Sequence, residues 1–336
     1  MTQRITDLSL RETFQRDIFR TRRGLDEVRR EVSSGIRVND PSDDPGRAGT
    51  IENFRNTLQR IDRHSQRISY ATNFLDQQES VLGQANDLLV RAKEIATQGA
   101  NETIGSQLRE NLSREVFQLR DTLVNLGNTR VQGRYIYGGA DDDDPPFDLS
   151  GTPYTEPASA TDPASQRYVF DAENGTALQR SVSVSDFSNI QITTTGSSVF
   201  SNAIGALERL GRALAGYRTT PEDGSTLPTG GGAAFNLPTD YQAQSAAIRQ
   251  SIDLLETARN DDIGQERVNV GGRLARIEVE DQILKTLKID VEKSRSSIQD
   301  ADVFDAASRL TQLETNFQAT LAAGVRISNL SLLDFI

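Results

Sequence analysis

There is no cysteine and no tryptophan in this chain, and only one methionine and one histidine. Without thiols, disulfides and thiolate-ligated zinc or redox centres are excluded. A Ser–His–acid hydrolase would have to be built on the single imidazole, His64. Its surroundings, "RIDRHSQRIS", are charged, so it reads as a solvated helix residue rather than a ligand or a base. No apolar run is long enough to span a bilayer, which argues against membrane insertion. The opening "MTQRITDLSLRETFQRDIFR" lacks the apolar core of a cleavable signal peptide. By that rule the chain reads as cytosolic, although the rule does not see uncleaved export signals. A basic excess is also missing. Lys plus Arg is 37 against 48 Asp plus Glu, a net charge of −11, which argues against nucleic acid and anionic membranes as partners.

What the chain has in quantity is helical periodicity. Phe14, Ile18, Leu25, Val28 and Val32, with Thr21 in the gap, alternate by four and three, the spacing of a coiled-coil seam. The stripe is thin, so this helix needs a partner. Val303, Ala306, Leu310, Leu313, Phe317 and Leu321 repeat the pattern at the other end. Between these ends, Phe54, Ile61, Ile68, Leu75, Leu82, Leu89 and Ala96 recur every seven residues along an uninterrupted helix over 47–98. A second helix over 104–126 carries Leu108, Leu112, Val116, Leu119, Leu123 and Leu126, and "TQGANETIG" is the turn between the two. Helix returns over 242–260, with Ile248, Ile252 and Leu255. It returns again over 268–298, with Leu274, Ile277, Ile283, Leu284, Leu287, Ile289 and Val291.

The middle is different in kind. From Arg134 it is rich in Pro, Ser and Thr, with short β-like runs such as "QRYVFDA" and "NIQITTTG". Residues 219–239 read as a loop. The amphipathic stretch 199–217 is assigned either to this insert or to the helical rod. The expected fold is mainly α with a β-rich insert: a terminal coiled coil from 1–40 and 300–336, a long antiparallel helical rod from 41–138 and 239–299, and an outer insert over 139–238.

Few motifs carry chemistry. The run Asp141–Asp144 lacks the alternating ligands, central Gly and distant Glu of a calcium loop, and with Pro145 and Pro146 behind it reads as a solvated turn. A glycosidase would need two carboxylates; Asp171 and Glu173 in the insert are the nearest pair, without further site logic. No catalytic, metal or cofactor site is expected. "SSGIRVNDPSDDPG" (33–46) instead reads as a joint. Gly35 stands where a helix ends in a left-handed residue. Pro41 and Pro45 push Asp40 and Asp44 away from helical angles. Ser42 and Asp43 can cap the next helix, with Pro45 in an early helical position. An ordinary helix–loop–helix connection fits the same residues.

The nesting and these motifs together resemble the flagellin superfamily. The Pro-flanked 33–49 stretch, "NDLLVRAKEIATQGAN", "LGNTRVQGRYIYGGADDDDPPF", "RVNVGGRLARIE" and the ending "LAAGVRISNLSLLDFI" look like its hook-associated branch at the hook–filament junction. The resemblance spans both terminal regions and leaves the insert unmatched. It implies a secreted structural protein, exported unfolded through the flagellar type III apparatus. It also implies that the ends pair into a coiled coil in an assembled axial layer. The partners it implies are other copies of the chain, a neighbouring hook-associated protein on the hook side, flagellin on the filament side, and a cytosolic export chaperone on the C-terminal region. Flagellin itself, an enzyme and a cytosolic coiled-coil adaptor are the competing readings.

Overall fold

The computed structural model describes residues 2–139, 143–149, 168–170, 179–216 and 241–333. Asp141, Asp142, Asp171, Glu173 and the 219–239 loop lie outside the described residues. Seven α-helices are described: α1 (Thr2–Ser34), α2 (Pro45–Gly99), α3 (Ser106–Gly127), α4 (Gly196–Leu214), α5 (Tyr241–Thr257), α6 (Gln265–Gln299) and α7 (Val303–Leu333). Six short strands pair antiparallel in three ribbons: β1 (Arg130–Val131) with β2 (Arg134–Tyr135), β3 (Phe147–Leu149) with β4 (Tyr168–Phe170), and β5 (Ser181–Ser183) with β6 (Asn189–Gln191). The described chain is mainly α with small antiparallel ribbons, the fold class the periodicity implies.

The chain divides into two compact units, one of residues 1–62 and 284–336, the other of 63–283. In the second unit α2 buries three heptad rows: Ile68 through Ala96, Ala71 through Ala92, and Phe74 through Ile95. Three rows make the wide apolar face of a core helix. Its earlier part buries only Ile51, Leu58 and Ile61. The stretch left open between insert and rod is α4, a helix, and it is the centre of this unit. It packs on α3 and α5 and is buried nearly all round, with Phe200, Ile204, Leu207 and Leu210 fully enclosed. The Phe200 ring meets Tyr137 edge-on at 4.7 Å and Phe147 at 6.3 Å, which ties the entrance of α4 to the chain after α3.

Four expectations need correction. His64 is not solvated: it is only 8% exposed, and its Nε2 lies 3.2 Å from Asp186 Oδ1. The ribbon β5–β6 folds over this side of α2, and His64 shares the buried row of Ala71, Gln78 and Ala85. The two C-terminal helices are not separated. A π-helical turn, Ala258–Gly264, joins α5 to α6 without a break and turns both Ala258 and Ile263 inward. On α6 the buried row is Val270, Ile277, Leu284 and Val291, while Ile283, Leu287 and Ile289 face out. Leu108, at the start of α3, is exposed as well, and Arg109 is buried in its place. There the guanidinium donates to the Asn101 carbonyl at 3.1 Å and to Gln244, and sits over the Tyr241 ring.

Candidate assembly surfaces

In the terminal unit α1 and α7 pack together antiparallel. Arg29 pairs with Glu314 at 3.0 Å, Arg309 with Glu31 at 2.8 Å, and Phe14 lies against Gly324, so the start of one helix meets the end of the other. Charge favours this unlike pairing. Residues 1–37 hold nine arginines and six acids, whereas residues 300–336 hold two arginines and five acids. A pair of two α1 helices would set arginine rows against each other.

The predicted seam residues are placed unevenly. Leu25 and Val28 are buried. Phe14, Ile18, Val32, Leu310, Leu313 and Phe317 are half-buried, and Val303 and Leu321 remain exposed. Phe19 and Phe304, outside the seam, are also exposed, Phe304 to 90%. Ala306, a member of the predicted C-terminal row, is fully buried, and Gly324, one heptad beyond Phe317, is the notch that receives Phe14. A Cβ built on Gly324 would overlap the Phe14 ring.

The joint is built from backbone as much as from side chains. Gly35 takes φ +69°, and its N–H donates to the Glu31 carbonyl at 2.9 Å. Asp43 Oδ2 accepts from the N–H groups of Asn39 (3.0 Å) and Asp40 (2.8 Å), closing the loop. The cap of α2 is Asp44, not Ser42 or Asp43: its Oδ1 accepts from the Arg47 N–H at 3.2 Å, with Pro45 the first helical residue. Pro41 is exposed in the turn. This joint is strapped to the one between α6 and α7. Arg37 N donates to the Gln299 carbonyl at 2.8 Å, and Ala301 N to the Gly35 carbonyl at 2.9 Å. Arg37 Nη2 reaches the Ile298 carbonyl at 3.0 Å, and Val38 is buried beside them. Asp302 caps α7 through the N–H groups of Phe304 and Asp305. The sequence has no Gly or Pro in 299–302 to mark this second joint.

Among the described residues no group of His, Cys, Asp and Glu could hold a metal ion, and no helix is long and apolar enough to cross a membrane. One buried cluster of charge is internally matched. Glu208, on α4, bridges Arg120 of α3 and Arg212, the latter at 2.9 Å, and Arg120 also reaches Asp121 at 2.7 Å.

This organisation, terminal helices that pair with each other and a helical unit nested between them in sequence, has known relatives. The bacterial flagellin N-terminal helical region matches residues 5–141 and the flagellin C-terminal helical region matches 252–336, together about two thirds of the chain. The chain belongs to the bacterial flagellin family. Among curated relatives, flagellar hook-associated protein 3 of Escherichia coli is 24% identical over 305 residues, 90% of each chain. Its counterpart from Salmonella typhimurium is 32% identical over 119 residues, 35% of this chain and 38% of that one. The solved flagellar hook-associated protein 3 of Legionella pneumophila shares the fold with a TM-score of 0.59 at 13% identity, over 74% of this chain and 98% of that one.

Proposed function

We propose that this chain is a structural subunit of the bacterial flagellum that assembles with its own copies at the hook–filament junction and adapts hook to filament. The observation that carries the reading is the similarity to hook-associated protein 3 over 90% of both chains, which runs beyond the two matched flagellin terminal regions. The terminal pair supports it physically. α1 and α7 leave their seam incompletely covered: Phe14, Ile18, Leu310, Leu313 and Phe317 keep part of their surface for further helices. Neighbouring copies supply them, with a hook-associated protein below and flagellin above. Before export, a cytosolic chaperone covers the C-terminal region. The protein acts outside the cell, and its role is mechanical rather than enzymatic.

Deletion of the gene followed by electron microscopy tests this. The expected result is intact hooks without filaments and flagellin released into the medium, restored by the wild-type chain. Filaments of normal length in the deletion strain overturn the reading. If the chain instead makes up the bulk of sheared filaments, it is the filament subunit.

A further inference from the structure

The tip of the β5–β6 ribbon holds a phenylalanine fully in solvent, Phe187 at 102% exposure, and fixes it there. The residue before it, Asp186, contacts His64 of α2 at 3.2 Å. Ser188, the residue after it, accepts from Arg276 Nη2 of α6 at 3.0 Å. The turn closes on itself, with the Val184 and Ser185 N–H groups donating to the Ser188 carbonyl at 2.9 and 3.3 Å, and Val184 is fully buried. An exposed aromatic on a loose loop would lose conformational freedom on docking. This one is held from both sides, so docking costs it little, and rigid aromatics of this kind anchor interfaces. Arginines flank the ribbon on both sides: Arg63 and Arg67 border the groove along β5, and Arg276 borders the groove along β6, where Arg273 is already paired with Glu266 at 3.2 Å.

We infer that Phe187 and its arginine collar form a contact between copies, and that the collar receives the acidic proline turn of a second copy around Asp143–Asp148. The turn matches in chemistry. Asp143 and Asp144 are exposed, next to Pro145, on a chain whose net charge is negative. Carboxylates suit the guanidiniums, and a proline face suits an aromatic ring. Knob and turn are different patches of one surface, so the contact is heterologous and repeats from copy to copy rather than closing a pair. This inference rests on the self-assembly proposed above and names one of its contacts.

The absence of cysteine gives a clean test. Ser185→Cys places a thiol at the tip and Asp144→Cys one in the turn, and both keep Phe187. The two variants are expressed together in the deletion strain, and isolated hook–filament junctions are oxidised. The expected product is a disulfide dimer with one copy of each variant, several-fold above either variant alone. Phe187→Ala, which removes no internal contact, is expected to melt like wild type while incorporating at least tenfold less. Absence of the mixed dimer from junctions that contain the chain overturns the inference, as does normal incorporation of Phe187→Ala. A Ser185→Cys dimer with itself shows two tips meeting, and a link to a different protein shows another occupant; either also overturns it. Wild-type chain missing from the junction would overturn the self-assembly reading instead, so the two failures are distinct.

Discussion

Glu208 is 1% exposed and lies between two arginines, so its charge is needed where it sits. Removing one partner of such a group leaves the others desolvated and uncompensated. Glu208→Ala is expected to lower the stability of unit 63–283 by about 3–5 kcal/mol in chemical denaturation, far more than the loss of an exposed pair. Arg29–Glu314 is the contrast. Both side chains are about half exposed, so Glu314→Ala should cost no more than about 1 kcal/mol. Asp262 works in the opposite sense. Burial raises its carboxyl above the usual 3.8, opposed by the hydrogen bond that Asn202 donates to it at 2.8 Å. A raised acid binds its proton more readily in the folded state, so its contribution is most favourable in acid and falls as pH rises through the raised value. Asp262→Asn keeps an acceptor for Asn202 and removes the charge. Because the group is only partly buried, the gain near neutral pH is expected to be a few tenths of a kcal/mol, and it should vanish below the ordinary carboxylate range. Denaturation midpoints for both forms from acid to neutral pH check this; a variant that is less stable at neutral pH than wild type contradicts it.

Among the elements, two glycines in helices separate packing from propensity. Gly83 in α2 has nothing within 4 Å of an added Cβ, so Gly83→Ala should stabilise by about 0.5–1 kcal/mol through helix propensity alone. Gly324→Ala gains the same term but drives a methyl into the Phe14 ring, and overpacking costs about 1–3 kcal/mol. The clash is expected to win and to loosen the α1–α7 pair; thermal scans with helix content as readout compare the two, and a stabilised Gly324→Ala would show that Phe14 does not occupy that notch. The long helices were legible because heptad rows of Ile and Leu persist over many turns. What escaped was carried by residues with weak local identity. His64 and Gln78 belong to the same row as Ala85 and Ala92, but a polar residue in a row reads as a break in it. The π-helical turn inserts a residue without Gly or Pro to announce it before Gly264. The amphipathic pattern of α4 was visible; that it would be enclosed on all sides depends on α3 and α5, which are distant in sequence. For the candidate surfaces, the seams and the cap-and-proline chemistry of the first joint were legible, whereas the strap from Arg37 to Gln299 is backbone bonding across the length of the chain and leaves no trace in side-chain pattern.

For the molecule as a whole, charge and core are both partitioned. Residues 1–62 and 284–336 carry 18 basic and 18 acidic side chains, so the entire net charge of −11 falls in residues 63–283. A neutral terminal unit can crowd against copies of itself without long-range repulsion, while the acidic unit stays soluble. The core is divided the other way. Residues 63–283 hold the fully buried Phe74, Leu75, Leu82, Leu89, Leu123, Tyr137 and Phe200, whereas among the described side chains of residues 12–34 of α1 the buried apolar ones are Leu25 and Val28, and among those of 303–324 of α7 it is Ala306. Most helix stability comes from packing, so α1 and α7 sit at the low end of local stability. Native-state hydrogen exchange on the isolated chain is therefore expected to show α1 and α7 exchanging through local opening, orders of magnitude faster than α4 and the 68–96 stretch of α2. Assembly should reverse the order for the ends. A third or fourth helix closing on Phe14, Ile18, Leu313 and Phe317 would remove their remaining exposed surface, at about 25 cal/mol per Å² of apolar area. Phe317→Asp puts a carboxylate into that closing seam, at a cost of several kcal/mol per copy if it is left unpaired. Because Phe317 lies in the terminal pair and not in unit 63–283, the isolated variant should keep the melting of unit 63–283, with at most a loosened α1–α7 pair, yet fail to enter the junction. Incorporation of Phe317→Asp at wild-type level would show that this face of α7 stays in water in the assembly. A large drop in the melting of unit 63–283 would show instead that the two units are coupled in stability, and that the terminal pair is more than a place for other copies to add.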